Sequence, residues 1–185
     1  MILKGFVLNY PQREVHMGNN LKYLRDADIF YDLTVSQLEL VEDICEERTY
    51  QKGDQVFGEN AHSDELYIIV SGLVDILLNP NLVAGKKSTR NVESETIATL
   101  REGQSFGEIA LVDQGIRSAS ARAGIDGTCL LLIRRDRLLL LCNSTPDIGY
   151  RIMYNLALDL AQKMRNADFR IREALLYQEV KPNPD

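Results

Sequence analysis

The spacing of apolar and polar positions along this chain changes character twice. Residues 1–31 are mixed, with a short helix expected near Asn19 to Asp28. Thr34-Val35-Ser36-Gln37 then has the form of a capping box, with Thr34 as N-cap and Gln37 reaching back, ahead of Leu38, Leu40, Val41 and Ile44. This pattern predicts a short amphipathic helix ending near Glu46.

From about Arg48 to Arg134 the pattern is that of strands. Gly53-Asp54 reads as a turn, Gln55 to Phe57 as a strand, and Gly58-Glu59-Asn60 as another turn. Leu66-Tyr67-Ile68-Ile69-Val70 is a buried strand closed by Ser71-Gly72. Leu73 to Leu78 is expected to run on as its partner, with Asp75 breaking the apolar run. Asn79 to Glu95 is polar and contains Pro80, Gly85 and two lysines, the marks of a long exposed hairpin loop, mobile and outside the core. Strands resume at Thr96 to Leu100, Ser118 to Ala123 and Thr128 to Ile133. Many short strands with turn signals between them predict a mainly β fold with flanking helices, built as an antiparallel, jelly-roll-like β-roll.

After Arg134 the helical period returns. Asp136 to Leu141 forms a short helix, and a second follows Ser144-Thr145-Pro146-Asp147, with Thr145 as N-cap and Pro146 at the first helical position. No Gly or Pro interrupts residues 150–180, so this C-terminal helix runs for roughly thirty residues, about 45 Å. Met153, Leu156, Leu160, Ala167, Ile171 and Ala174 fall on one stripe. That stripe is longer than one small roll covers, and its distal half is expected to pair with a second copy of the chain. The expected organisation is an N-terminal arm with a short helix over 1–31, a β-roll over 32–145, and a long helix over 146–180 serving as lid and dimerisation element.

Composition narrows the function classes. A chain of 185 residues with 45% hydrophobic and 26% charged residues suits one globular domain with appendages. A net charge of −6 argues against non-specific attraction to nucleic acid or an acidic membrane surface, but leaves a small anionic ligand open. Cys45, Cys129 and Cys142 are far apart, odd in number and set among apolar neighbours, so buried reduced thiols and a cytoplasmic location are expected. The N-terminal MILKGFVLNYPQRE is broken by Lys4, Gly5 and Pro11 and lacks a signal-peptide core, and no apolar run is long enough to cross a bilayer. With only His16 and His62, neither in a ligand-spaced cluster, metal binding and nucleophilic catalysis are not expected, and the chain does not read as an enzyme.

The chemistry concentrates in Phe106 to Ala123, FGEIALVDQGIRSASARA. A Gly-Glu pair heads a short apolar segment, and Arg-Ser-Ala follows nine residues after the glutamate. A carboxylate accepts hydrogen bonds from hydroxyls, a guanidinium holds a phosphate, and glycine lets a ligand approach the backbone. That set suits a sugar phosphate. Taken singly, Gly107 is a turn, Glu108 a first-turn carboxylate, and Arg117 a solvated charge at a strand start.

Together with their neighbours these residues resemble the cyclic nucleotide-binding domain family, shared by the bacterial catabolite activator protein and the regulatory subunits of cyclic AMP-dependent protein kinase. The resemblance spans about Phe30 to Arg165. One block is Val56-Phe57-Gly58-Glu59, then Asp64-Glu65-Leu66-Tyr67-Ile68-Ile69-Val70-Ser71-Gly72 and Val74. The other is a phosphate-binding cassette, Phe106-Gly107-Glu108-Ile109-Ala110-Leu111, followed by Arg117-Ser118-Ala119. The resemblance implies that Glu108 accepts the ribose 2′-hydroxyl and that Arg117 pairs with the cyclic phosphate. It implies a Ser118 hydroxyl on the phosphate or a syn purine, and backbone approach at Gly107 and Ala110. The ligand-binding set is then Phe106, Gly107, Glu108, Ile109, Ala110, Arg117, Ser118 and Ala119, with cyclic AMP, or else cyclic GMP, as ligand and no metal.

Two departures from the family pattern matter. Where the catabolite activator branch has a Thr-Ser pair to read adenine, this chain has Gln162-Lys163-Met164-Arg165, so Lys163 or Arg165 is left to cover the base. Only Lys181 to Asp185 follow the long helix, so no helix-turn-helix and no direct DNA binding are expected. The implied protein is a regulatory sensor for signal transduction that reports occupancy to a partner or dimer mate through its C-terminal helix. The alternative is an interaction protein of the same fold with an unoccupied pocket.

Overall fold

A computed structural model describes residues 20–79, 94–109 and 116–179. The described chain begins with α1 (Leu21–Asp26), a 3-10 turn (Asp28–Phe30) and α2 (Val35–Glu42). Eight strands follow: β1 (Cys45–Tyr50), β2 (Gln55–Phe57), β3 (Glu65–Ser71), β4 (Leu73–Leu78), β5 (Glu95–Arg101), β6 (Ser105–Phe106), β7 (Ser120–Ala123) and β8 (Thr128–Arg134). Two helices close the fold, α3 (Arg135–Ser144) and α4 (Pro146–Glu179).

The strands form two antiparallel sheets, ordered β1-β8-β3-β6 and β2-β7-β4-β5. This is the mainly β, antiparallel roll expected from the spacing of strands and turns. β3 and β8 lie in the middle of the first sheet and are apolar on both faces. Leu66, Ile68, Val70, Leu131 and Ile133 pack outward against Leu24, Ile29, Phe30, Leu38, Leu138, Ile148, Ile152 and Leu156 of the helical layer. Their alternates Tyr67, Ile69, Leu130 and Leu132 pack inward with Val74, Phe106 and Ala121, filling the space between the sheets. A strand covered on both sides reads as a continuous apolar run, which is why this strand pair is plain in the sequence.

The expected pairing of β3 with β4 does not occur. β3 bonds to β8 and β6, whereas β4 bonds to β5 and β7 in the other sheet. The chain turns this corner at Gly72, whose φ of +92° is open to glycine, and where an added Cβ would lie 2.6 Å from Thr128 Oγ1. Strand apolarity is blind to which sheet a strand joins.

The capping box forms as expected: Gln37 N donates to Thr34 Oγ1 at 3.3 Å and Thr34 N to Gln37 Oε1 at 2.9 Å. Its helix ends at Glu42, and β1 starts at Cys45 rather than near Arg48, because β1 registers along the whole of β8 from Cys45↔Ile133 to Tyr50↔Thr128. β7 begins at Ser120, so Ser118 and Ala119 precede the strand. Leu78 pairs with Glu95, making β4–β5 a hairpin, and the loop expected between them falls largely on residues 80–93, outside the described residues.

The long helix meets the roll through Leu156 and Leu160 of the expected stripe, but the row runs back from them through Ile152 and Ile148 rather than through Met153. Ile148, Ile152 and Leu156, four apart, are buried, and Leu160 packs against them in partial cover. Met153 is 37% exposed because it stands one residue, about 100°, round the helix from that row. Asn155 secures the same face by donating to Ile29 O (3.2 Å) and Tyr31 O (2.8 Å), and Arg151 pairs with Asp32. Beyond Leu160 the apolar residues Met164, Phe169, Ile171, Leu175 and Leu176 are exposed. The side chain of Ala174 lies outside the described residues.

Candidate functional site

Arg117 is set in place before β7 begins. Residues 58–63 run beside it: Asn60 N donates to Arg117 O (2.8 Å), Arg117 N to Ala61 O (3.0 Å), and exposed His62 bridges to Ile116. This turns the side chain inward, where the residue is 3% exposed. Its Nη1 donates to Gly107 O at 2.9 Å, and its Nη2 donates to Ser63 Oγ at 2.6 Å and Glu65 O at 2.7 Å. The guanidinium lies 4.1 Å over the Phe57 ring and 5.6 Å from that of Tyr67. Tyr67 in turn stacks on Phe106 with centroids 5.0 Å apart. Burial lowers the arginine's pKa from its ordinary value, while Tyr67 and Glu65 act to raise it. The group stays a cation, as arginine does in proteins. Its buried Nε has no hydrogen-bond partner among the described residues, so one donor of the fork is left for something else.

Gly107 joins this arginine to the cassette. It follows β6, whose Phe106 pairs with Tyr67 of β3, and has a φ of +84°. An added Cβ would lie 2.6 Å from Arg117 Nη1 and 2.9 Å from Glu65 O, so the arginine packs against the glycine backbone itself. The next residue, Glu108, opens a helical turn and is 5% exposed. Its carboxylate is met from the long helix: Lys163 Nζ donates to Glu108 Oε1 at 3.0 Å and to Ser105 O at 3.1 Å. The same ammonium lies 2.8 Å from Asp159 Oδ2, one turn back on its own helix. Burial acts to lower the Lys163 pKa, but Glu108 and Asp159 outweigh it, and the ammonium holds its proton above the ordinary lysine value.

Of the residues singled out from sequence, Phe106, Gly107, Glu108 and Arg117 are gathered here. Ile109 is 43% exposed, Ser118 is exposed, and Ala119 is half-buried beside the turn. Ala110 lies outside the described residues. The two candidates for covering a base part company: Lys163 reaches the cassette, while exposed Arg165 donates to Gln162 Oε1 at 2.9 Å on its own helix. Sequence reasoning assigned no role to Ser63, Glu65, Phe57 or Tyr67, which cradle the arginine. The only sign of the acidic member was a carboxylate at the head of an otherwise apolar strand.

The model of the cyclic nucleotide-binding domain matches residues 47–145, a span that holds both the arginine cradle and the cassette. The chain belongs to the cyclic nucleotide-binding domain family. Among curated proteins it is 29% identical over 158 residues to the "Cyclic AMP receptor protein" of Thermus thermophilus, covering 85% of this chain and 66% of that one. It is 30% identical over 130 residues to a Drosophila melanogaster cGMP-dependent protein kinase, 70% of this chain and 13% of the kinase. The chain thus spans under two thirds of these relatives. Among solved structures, the Thermus thermophilus catabolite activator protein superposes with a TM-score of 0.65 at 30% identity, over 80% of this chain and 63% of that one. A cyclic nucleotide-binding domain from Methylobacillus flagellatus gives 0.72 at 23% identity, over 86% and 88%, a likeness of fold.

The site fits the family's ligand class chemically. An unpartnered Nε on a buried cation offers an anion a hydrogen-bond donor, and a buried carboxylate offers a hydroxyl an acceptor. Among the described residues no group of three or more His, Cys, Asp or Glu is placed to hold a metal ion, and no helix is long and apolar enough to cross a membrane.

Proposed function

We propose that this chain is a cyclic nucleotide sensor that reports occupancy through its long C-terminal helix. The observation that carries this reading is the pair Glu108 and Arg117, both buried, one tied to the long helix through Lys163 and the other to the roll through Gly107. In this reading Glu108 accepts the ribose 2′-hydroxyl and Arg117 takes the cyclic phosphate, starting from its unpartnered Nε. Ser118, exposed ahead of β7, supplies a hydroxyl to the phosphate or base, and the ligand approaches the backbone at Gly107. Cyclic AMP is the proposed ligand, in line with the printed name of the Thermus relative, and cyclic GMP is its natural competitor given the kinase relative.

Coupling follows from Lys163. A ribose hydroxyl arriving at Glu108 competes with the ammonium that pins the long helix to the cassette, so ligand and helix position are linked. The ligand moves that equilibrium only by its differential affinity for the two arrangements. Output passes through the distal apolar stripe, where Met164, Ile171 and Leu175 repeat at seven and four residues. We assign it to a second copy of this chain, with a downstream protein receiving the signal. The setting proposed is cytoplasmic, which suits three free thiols.

A thermal-shift panel of cyclic AMP, cyclic GMP and linear AMP tests this directly. Stabilisation by a cyclic nucleotide is expected, and none at millimolar concentration would reject the sensor. Removing the Arg117 side chain (Arg117→Ala) should cost about 2–5 kcal/mol of calorimetric affinity, because it takes away one partner of a largely desolvated charge pair. Unchanged affinity would remove the arginine from its role. One observation favours a second reading, an interaction protein with a silent pocket: Glu108 and Arg117 already hold protein partners. The thermal panel separates the two.

A further inference from the structure

Beside the arginine stands a carboxylate that the proposed binding roles leave unused. Glu65 opens β3, and its Oε2 lies 3.6 Å from Arg117 Nη2. The same oxygen accepts the Ser63 hydroxyl and lies 3.4 Å from that of Tyr67, so Ser63 touches both the carboxylate and the guanidinium. The Glu65 side chain is 25% exposed and that of Arg117 2%, so an anion arriving from solvent meets the carboxylate before the cation. Among the described residues three carboxylates, Glu65, Glu108 and Asp159, pair with two cations, Arg117 and Lys163, and the charge of Asp64 acts on Arg117 as well. These described groups carry no surplus of positive charge for a multiply charged ligand.

Resting on the cyclic nucleotide reading above, we infer that Glu65 is a specificity-determining counter-ion. It neutralises Arg117 in the free protein and selects a singly charged cyclic phosphodiester over a doubly charged linear nucleoside monophosphate. The physical reason is charge scaling. Arginine cannot give up its proton, so a phosphate bound to it stays within Coulomb range of Glu65. A phosphodiester carries one negative charge, whereas a phosphate monoester, with a second pKa near ~6, carries almost two at neutral pH. The repulsion from Glu65 is therefore nearly twice as large for the linear nucleotide.

The test is calorimetry on the full chain with cyclic AMP, cyclic GMP and linear AMP, comparing the native protein with Glu65→Gln, which keeps shape and an acceptor oxygen but not the charge. Cyclic nucleotides should bind about fivefold tighter to the variant and linear AMP about 25-fold tighter, since doubling the repulsion squares the factor. Glu65→Asp, which keeps the charge, should stay near the native cyclic-to-linear ratio, a result that a merely structural role would not produce. A second measurement needs no variant: the methyl ester of AMP, linear but singly charged, should bind the native protein about fivefold tighter than AMP, the factor for one charge removed. An unchanged ratio in Glu65→Gln, or an ester no better than AMP, would overturn the counter-ion role while leaving the pocket intact. Absence of cyclic nucleotide binding in every form would instead overturn the pocket itself, and the counter-ion role with it.

Discussion

Gly107 shows how much one residue position demands in this protein. Its φ of +84° and the 2.6 Å gap between a Cβ and Arg117 Nη1 impose two separate costs on any side chain. We expect Gly107→Ala to lower unfolding stability by about 1–3 kcal/mol, the range for a non-glycine residue in such a conformation. It should also weaken cyclic nucleotide binding by at least about tenfold, since Arg117 must shift. Denaturant melts and calorimetry on one preparation check both, and wild-type affinity would show that the guanidinium tolerates displacement. At this scale Gly107, Glu108 and Arg117 were legible because their spacing is local. Lys163 was legible only as a nearby cation. Its partner Glu108 lies 55 residues away, and nothing in local pattern says which carboxylate a helix will lie across.

Elements were read from periodicity, and periodicity reports burial rather than pairing. The double-faced burial of β3 and β8 made their apolar runs conspicuous, yet the corner at Gly72 that sends β4 to the other sheet left no comparable mark. The stripe on α4 held at Leu156 and Leu160 but not at Met153 for a related reason: several apolar rows are available on that helix, and the row through Ile148, Ile152 and Leu156 faces the 3-10 turn. Asn155 on the same side is an element-scale clamp, with its Nδ2 shared between Ile29 O and Tyr31 O. Asn155→Ala should cost about 1–3 kcal/mol, because it strands carbonyls in a nearly closed contact. A thermal midpoint within a degree of wild type would mean that water replaces the amide there.

For the molecule as a whole, the exposed distal half of α4 and the thiols, which are half-buried rather than buried as expected, make separate predictions. Ile171→Glu together with Leu175→Glu should turn a dimer into a monomer in sedimentation velocity, raising the dissociation constant by about a hundredfold or more, as loss of central apolar anchors does. A monomeric native protein at tens of micromolar would refute the assignment of that stripe. The alkaline limb of stability has a definite sign. Burial, with help from Glu47, pushes the Cys129 thiol from 9.0 up to about 12, and burial raises Cys45 as well. Lys163 also titrates above its ordinary value. Each folded form holds its proton more tightly than the unfolded chain, so the stabilisation is complete below pH 9 and is lost as pH rises from about 9 to about 12. Urea midpoints should fall between pH 8 and pH 11, and equal midpoints would contradict it.

What could be read directly from the amino acids was the class of the fold, the capped second helix, the cassette and the identity of its two charged residues. Each is a matter of local spacing, where the side-chain period and turn chemistry act within a few residues. Folding in three dimensions settled the sheet to which β4 belongs, the row of α4 that meets the roll, and the company kept by the charges: Arg117 with Ser63, Glu65 and Phe57, and Glu108 with Lys163. The contacts of these charges join residues 52 to 60 positions apart, and their energies depend on burial that only the assembled layers create.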